Sequence, residues 1–314
     1  MLQIRLRAQQ RLERGIAPGL LVRVAARAYA SLVRVERPLR CDVPTLCVGG
    51  ATLGGSGKTP LAIAAARALA ERGHRVALVG HAYRAQPGRA RFVAPGDDVR
   101  LVGDEALEAA RELADTTVRV VVAPSRQLAV DLATSASGGV DVLVLDGPLQ
   151  LTPKRARLSW LAVDEQAPWG SGDCPPAGDL RAPKAALVAS ADRVVPVRGA
   201  SRGAWEGARL VPWSSLRALR VGLVTSVARP QRVLSLLGRH GIEPRAVLLG
   251  PDHGPLPLPG RHHRVESWLT TGKDWGLLQR GVRVSRIDYH LRLPSGLLAE
   301  LHEAFPLCDT PSRF

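Results

Sequence analysis

Short apolar runs alternate with segments of helical periodicity from residue 43 onward. The runs are rich in valine and leucine, as buried strands are, and they cover residues 43–48, 75–80, 118–123, 141–147, 158–164 and 193–197. The segments between them predict helices over 57–72, 104–114 and 125–136. This alternation indicates an α/β fold built on a doubly wound, mostly parallel sheet.

The same pattern returns on a smaller scale near Leu219. The expected elements are a strand, a helix and a strand over 220–227, 229–241 and 244–250. A polar, tryptophan-containing connection over 199–217 precedes them and is the expected boundary region. We therefore predict an N-terminal region, a larger domain and a second, smaller α/β domain over 1–40, 41–212 and 213–314.

Two segments fall outside this alternation. Residues 165–183 are rich in proline and glycine, which excludes regular structure and predicts a functional loop. Residues 1–40 carry nine arginines and two glutamates, interleaved with apolar residues at roughly helical spacing. That pattern predicts an N-terminal basic amphipathic helix. Such a helix either packs on the domain with a solvated arginine face or lies on a membrane surface.

Composition adds a basic surface to this picture. The 314 residues are 46% hydrophobic, so each domain can bury a core, and a soluble globular protein is expected. The formal net charge of +15 favours an anionic partner such as nucleic acid, a membrane surface or a phosphorylated substrate. Aromatic residues make up only 4%, which argues against a stacking platform for single-stranded nucleic acid. No nucleic-acid partner is therefore expected.

Cysteine usage indicates a reducing compartment. Cys41, Cys47, Cys174 and Cys308 form no CxxC pair and show no metal-like spacing with histidine. Four reduced thiols in a cytoplasmic chain are the expectation. The sequence shows neither a secretory signal nor an apolar run long enough to span a bilayer.

The segment "GGATLGGSGKTP", residues 49–60, predicts a phosphate-binding loop (P-loop) between a strand and a helix. Glycine-rich turns and helix N-termini present backbone N–H groups to phosphate. Lys58 is one of only four lysines, and it would reach the β and γ phosphates of ATP, while Thr59 would hold Mg²⁺. The predicted nucleotide-binding residues are Gly54, Gly55, Ser56, Gly57, Lys58 and Thr59. The alternative is a glycine turn without a ligand.

Acidic residues supply the remaining candidate chemistry. Asp146 ends the run "DVLVLDG", where it is either a turn former or a carboxylate for the magnesium ion. Asp104 begins the helical segment after "VG", where it is either a helix cap or a base that accepts a proton from an attacking hydroxyl. Glu105 is a further candidate metal ligand. Asp252 and His253 lie on a proline- and glycine-rich loop, where the histidine is either solvated or a base.

In this order the motifs resemble those of the tetraacyldisaccharide 4'-kinases, enzymes of the lipid A pathway. The family's "VGNxxxGGTGKTP" corresponds to "VGGATLGGSGKTP", its "VGDEP" to "VGDEA", its "LPAGPLREP" to "PPAGDLRAP", and its "TTEKD" to "TTGKD". The family's "DDGLQH" corresponds to "DGPLQL" and its "DHH" to "DHG", so the similarity runs from about residue 43 to residue 275.

The resemblance implies an activity and a location. The activity is transfer of the ATP γ-phosphoryl group to the 4'-hydroxyl of a tetraacyldisaccharide 1-phosphate, the lipid A precursor. The catalytic residues would be Asp104 paired with His253, adjoining Asp252, with Lys58 neutralising phosphate charge. Tyr83, Gln150 and Arg181 fall in segments on the substrate side. The N-terminal helix would dock on the anionic inner membrane, which places the protein peripherally on its cytoplasmic face.

The chain also departs from the family pattern. Gly147, Leu151, Ala182 and Gly272 replace a second Asp, a His and two Glu residues, and His81 stands where the family has Arg. Fewer carboxylates near the expected metal would hold Mg²⁺ less well. Two alternatives to the kinase therefore remain: a catalytically impaired relative that binds nucleotide or lipid as a regulator, and a kinase for a different glycolipid.

Overall fold

The computed structural model describes residues 19–80, 85–227, 229–251, 256–259, 264–275 and 283–307. The chain divides into two compact units. The larger unit comprises residues up to Arg198 together with those from Arg292 onward, and the smaller unit spans Gly199–Leu291.

A seven-stranded sheet forms the centre of the larger unit. Its strands, in spatial order, are β4 (Arg91–Phe92), β5 (Arg119–Val122), β3 (Val76–Val79), β6 (Val142–Gly147), β2 (Thr45–Gly50), β8 (Leu158–Asp164) and β9 (Arg193–Val197). All neighbours are parallel except β4, which runs antiparallel to β5. Every residue of β2, β3 and β8 is buried, as expected for a parallel sheet that is covered on both faces. A separate parallel pair joins β1 (Glu36–Pro38) to β7 (Gln150–Thr152).

The helices of the larger unit cover this sheet. They are α1 (Leu20–Leu32), α2 (Lys58–Glu71), α3 (Val99–Val102), α4 (Asp104–Glu112), α5 (Arg126–Ser135), α6 (Lys184–Ala189) and α10 (Ser295–Ala304). Helix α2 buries Leu61, Ala65 and Leu69 because these residues recur at helical spacing on one face. Ser125 caps α5, since its side chain accepts a hydrogen bond from the N–H of Leu128.

The smaller unit carries a six-stranded mixed sheet. In spatial order its strands are β11 (Arg209–Pro212), β10 (Gly203–Glu206), β15 (Val284–Ile287), β14 (Ser267–Thr270), β12 (Val221–Thr225) and β13 (Ala246–Leu249). Its helices are α7 (Trp213–Leu216), α8 (Pro230–Arg239) and α9 (Gly272–Trp275). The buried carboxylate of Asp274 accepts hydrogen bonds from the Thr225 hydroxyl at 2.6 Å and the Thr271 hydroxyl at 2.8 Å. It therefore ties the carboxyl ends of β12 and β14 together.

The division into units lies at the start of the predicted boundary region 199–217, and it differs from the domain limit placed between residues 212 and 213. The smaller unit begins at Gly199, because β10 and β11 form a hairpin that pairs with β15 of the smaller sheet. The chain then returns to the larger unit at Arg292. Helix α10 belongs there because Glu300 pairs with Arg193 of β9, and the carbonyl oxygen of Phe305 lies 3.0 Å from Nε2 of His74.

Helix α1 lies within the predicted N-terminal region and has two apolar faces. One face packs on the larger unit through Tyr29, Ala30 and Val33, and it buries Ala26. The other exposes Leu21 and Leu32, which are 84% and 79% accessible. Residues 1–18, which the prediction also included, lie outside the described residues. Over the described ranges, no helix has both the length and the apolar character needed to cross a bilayer.

Candidate functional site

The glycine-rich segment forms a tight connection from the carboxyl end of β2 to the first turn of α2. Gly57 has a φ of +83° and a Cβ there would lie 2.6 Å from the Val197 side chain, so only glycine fits without strain. A Cβ on Gly50 would overlap the Oγ of Ser56, which is itself buried. The connection therefore folds back on itself and ends where the first N–H groups of α2 have no partner within the helix.

Lys58 lies at the centre of a compact polar cluster. Its Nζ is 3.0 Å from Oε2 of Glu105, 3.2 Å from Oδ1 of Asp146 and 3.1 Å from Oγ1 of Thr59. The Thr59 hydroxyl in turn donates to Oδ2 of Asp146 at 2.7 Å. Strands β2 and β6 are parallel neighbours, so their carboxyl ends meet and bring residues 58 and 146 together. The predicted residues Lys58, Thr59, Asp146 and Glu105 thus form one cluster.

The electrostatics of this cluster keep the lysine charged. Burial by itself lowers the pKa of Lys58, but the charges of Asp146 and Glu105 outweigh it and leave that pKa above its ordinary value. Asp146 is only 2% exposed, and an ammonium group and a hydroxyl both contact its carboxylate. A charged ammonium group beside two acidic side chains can exchange one of these partners for a phosphate oxygen.

Asp104 lies at the first residue of α4, next to Glu105 of the cluster. One of its carboxylate oxygens accepts a hydrogen bond from the N–H of Glu105 at 2.9 Å. Gly103 before it has a φ of +86°, a conformation that favours glycine and turns the chain into the helix. Gly103 occupies the N-cap position, so Asp104 is the first helical residue rather than the cap that the sequence allowed, although its carboxylate contacts an N–H group of the first turn. The role of Asp104 as a base stays a prediction.

Two arginines flank the acidic cluster, and the sequence analysis identified only one of them. Arg181 donates from Nε to the carbonyl oxygen of Thr52 at 2.9 Å. Arg126, the residue that was missed, donates from Nη2 to the carbonyl oxygen of Asp146 at 3.3 Å, and its Nε is buried without a partner among the described residues. Burial lowers the pKa of both guanidinium groups, and Asp146 opposes that shift. The signal that could have found Arg126 is its position just after β5, at the same sheet edge.

The structure accounts for three of the departures from the family pattern. Gly147 has a φ of +117°, and a Cβ there would lie 2.6 Å from Nη2 of Arg126, so the guanidinium approaches the backbone closely. Leu151 and Ala182 are each buried in an apolar cluster of the larger unit. At both positions the side chain contributes to core packing.

Gln150 is buried, and its amide bonds to the segment that follows it and to β8. Its Oε1 accepts from the N–H of Leu151 at 3.0 Å and of Ala156 at 2.7 Å, and its Nε2 donates to the hydroxyl of Ser159 at 3.1 Å. These contacts give Gln150 a structural role in the segment after β7. Its assignment to the substrate remains a prediction.

Replacing Gly147 by alanine is expected to lower the free energy of unfolding by about 1–3 kcal/mol, because a side chain at this positive φ is strained and crowds Arg126. Urea titration of both proteins measures the difference. Gly96→Ala is the matched control: a Cβ there meets no atom within 4 Å, and a change below about 1 kcal/mol is expected. Equal stability of the Gly147 variant and the unaltered protein would contradict this account.

Some predicted residues lie outside the part of the chain that the structure describes. They are Tyr83, Asp252 and His253, together with His81. Among the described residues, no group of three or more His, Cys, Asp or Glu side chains is arranged to hold a metal ion. Three cysteines, Cys41, Cys47 and Cys174, are free thiols, and burial raises the pKa of Cys47 to about 12.

The chain is similar to known proteins in sequence and in fold. The LpxK family, described as tetraacyldisaccharide-1-P 4'-kinase, matches residues 17–304. A tetraacyldisaccharide 4'-kinase of Acidithiobacillus ferrooxidans is 32% identical over 254 residues, 74% of this chain and 75% of that protein. The enzyme of the same name from Geobacter sulfurreducens is 32% identical over 323 aligned residues, 93% of this chain and 88% of that protein.

A solved structure shares the fold. The crystal structure of LpxK from Aquifex aeolicus in complex with ATP matches with a TM-score of 0.69 at 21% identity. The match covers 90% of this chain and 99% of that chain. The mixed α/β architecture with parallel-rich sheets is therefore common to both proteins.

Proposed function

The chain belongs to the tetraacyldisaccharide 4'-kinase family, and from that premise we propose that it transfers the γ-phosphoryl group of ATP to the 4'-hydroxyl of a tetraacyldisaccharide 1-phosphate. Its relatives are phosphotransferases with an alcohol acceptor. The observation that carries the proposal is the convergence of Lys58, Thr59 and Asp146 at the end of the glycine-rich connection. Phosphoryl transfer depends mainly on positioning and on neutralising phosphate charge, and these groups supply both.

The nucleotide would bind where the glycine-rich connection enters α2, as a P-loop binds phosphate. Three observations support this site: the glycine positions that tolerate no side chain, the N–H groups at the start of a fourteen-residue helix, and the charged Lys58. ATP is also present in the solved structure that shares this fold. Backbone N–H groups would come from Gly54, Gly55, Ser56 and Gly57. Lys58 would give up its contact with Glu105 and would contact the β and γ phosphates instead.

The donor set also fits Mg²⁺. Magnesium usually takes one or two carboxylates and completes its shell with water and substrate phosphate oxygens. Asp146 and Glu105 provide carboxylates, Thr59 provides a hydroxyl, and all three contact Lys58 at 3.0–3.2 Å. When bound, the ion would neutralise charge on the β and γ phosphates.

Asp104 would accept the proton of the attacking hydroxyl. It lies at the first turn of α4, one residue from Glu105 of the cluster. A positioned carboxylate is a suitable base for a sugar alcohol, and His253, adjoining Asp252, would assist it by sharing the proton. Arg126 and Arg181 would meet the anionic groups of the substrate, together with Tyr83 and Gln150 on the substrate side.

Helix α1 would bind the protein to the anionic cytoplasmic face of the inner membrane. Its exposed Leu20, Leu21 and Leu32 can enter the boundary of the acyl chains, and its Arg23 and Arg27 can meet headgroups. The other apolar face of α1 is already occupied by the larger unit. The helix can therefore stay docked on the domain while it contacts lipid.

The double substitution Leu21→Asp and Leu32→Asp is expected to weaken binding to vesicles containing phosphatidylglycerol by at least about a hundredfold, because each buried leucine contributes about 1.5–3 kcal/mol. Co-sedimentation with the vesicles measures this. Leu258→Asp is the control, since Leu258 is 70% exposed and lies in the smaller unit. Equal binding by the double variant would remove α1 from this role.

A transfer assay with radiolabelled ATP and the purified lipid precursor tests the proposed activity directly. Label appearing at the 4' position supports the kinase. ATP binding without transfer would instead support the impaired relative, and transfer to another glycolipid but not to this precursor would support the kinase of different specificity.

A further inference from the structure

Helix α1 is connected to the glycine-rich segment through the loop 165–183. The docked face of the helix packs into an apolar cluster that includes Ala51, Leu180 and Ala182. Ala51 directly follows β2 at the start of the glycine-rich connection, and Leu180 and Ala182 lie at the end of the loop. The helix, the loop and the start of the connection therefore share one packed core.

Hydrogen bonds pair the end of this loop with the start of the connection. Leu53 donates its N–H to the carbonyl oxygen of Asp179 at 2.8 Å, and Arg181 donates its N–H to that of Ala51 at 2.9 Å. Thr52 and Leu180 form the antiparallel bridge between these two bonds. Residues 51–53 are thus held by residues 179–181 as in a two-stranded sheet.

Tyr29 and Arg181 add side-chain bonds at both ends of this pairing. The Tyr29 hydroxyl donates to the carbonyl oxygen of Arg181 at 3.3 Å. The Arg181 Nε donates to the carbonyl oxygen of Thr52 at 2.9 Å, and the Thr52 hydroxyl donates to the carbonyl oxygen of Gly54 at 2.8 Å. A continuous series of bonds thus runs from α1 to the first glycine of the predicted phosphate-binding residues.

We infer that Tyr29 is a positioning residue, which couples the binding of α1 to a lipid surface to the affinity of the glycine-rich segment for ATP. The inference rests on the proposed function. Tyr29 lies on the docked face of α1, whereas Leu21 and Leu32 lie about a fifth of a turn away on the exposed face. Lipid contact on the exposed face would favour one position of the helix. The series of hydrogen bonds from Tyr29 through Arg181 and Thr52 would transmit that position to residues 51–54.

The coupling factor is the ratio of the Kd for ATP without vesicles to the Kd for ATP with vesicles. Because the two binding events are thermodynamically linked, ATP must change the affinity for vesicles by the same factor. Vesicles of equimolar phosphatidylglycerol and phosphatidylcholine are expected to lower the Kd for ATP of the full-length protein by at least about fivefold, measured by calorimetry. ATP is expected to strengthen binding to the same vesicles by the same factor. No effect of the vesicles on the Kd for ATP would overturn the inference.

Substitution of Tyr29 separates coupling from simple stability. Tyr29→Phe removes one hydrogen bond and keeps the ring, so the coupling factor is expected to fall by about fivefold. With vesicles present, KM for ATP should rise while kcat at saturating ATP stays unchanged. Ser31→Ala is the control: among the described residues this exposed hydroxyl bonds to the Ala28 carbonyl within α1, and its loss should leave the factor intact.

The outcomes distinguish this inference from the proposed function. A lower melting temperature of Tyr29→Phe with an unchanged coupling factor would mean a purely structural role and would overturn the inference. If ATP binding and phosphorylation of the lipid precursor show no dependence on Tyr29, the kinase stands and the inference fails. If the unaltered protein binds no ATP with or without vesicles, the proposed function itself fails.

Discussion

Replacing Lys58 by methionine is expected to lower phosphoryl transfer by at least about a hundredfold. The ammonium group is the positive charge that contacts both Asp146 and Glu105, at 3.2 and 3.0 Å. Methionine has nearly the same length but no charge, so the phosphates would approach two carboxylates without the ammonium group that offsets their negative charge. The radiolabelled transfer assay at saturating ATP measures the loss.

Lys154→Met is the matched control for this change. Lys154 is one of the four lysines and is exposed, and its contact is with Asp42 at 3.6 Å. Transfer by that variant is expected to equal that of the unaltered protein. Lys58→Arg keeps a charge but changes its geometry, and it should remain folded with strongly reduced transfer. Full activity of the methionine variant would exclude Lys58 from catalysis.

Replacing Asp104 by asparagine is expected to lower the rate of transfer by about a hundredfold to ten-thousandfold while leaving the Kd for ATP unchanged. Asparagine keeps an oxygen that can accept the Glu105 N–H, so the start of α4 should be preserved. It cannot accept a proton from the substrate hydroxyl. The dependence of rate on pH should therefore lose its acidic limb in the variant.

Asp98→Asn provides the comparison for Asp104→Asn. Asp98 caps the short helix α3, where its carboxylate accepts from the N–H of Arg100 at 2.9 Å. Asparagine serves equally well as a helix cap, and no loss of transfer is expected. A pH profile of Asp104→Asn that retains the acidic limb would assign the base to another group, with Glu105 the first candidate.

The buried strands of the larger unit could be predicted from local sequence. The runs at 158–164 and 193–197 coincide with β8 and β9, and the other four predicted strands of this sheet agree within two residues at each end. Helices α2, α4 and α5 were also predicted to within two residues. Each of these elements is a continuous run whose own periodicity matches the environment it enters, so no distant residue is needed to define it.

Pairing between distant segments was not predictable in this way. The β10–β11 hairpin, β14, β15 and the β1–β7 pair were not assigned from the sequence. They are three to four residues long, and most carry mixed burial patterns rather than a continuous apolar run. Their partners in the sheet define them, which is also why the smaller unit begins at Gly199.

The sequence by itself determined the chemistry of this protein: a glycine-rich connection with Lys58 and Thr59, an aspartate at a strand end and an acidic helix start, in the order of one kinase family. The tertiary structure decided which of these groups meet. Lys58 contacts Glu105 across 47 positions and Asp146 across 88, and Arg126 approaches Gly147, because parallel strands bring their carboxyl ends to one edge. Side-chain type is local information, whereas proximity at a sheet edge follows only from strand order.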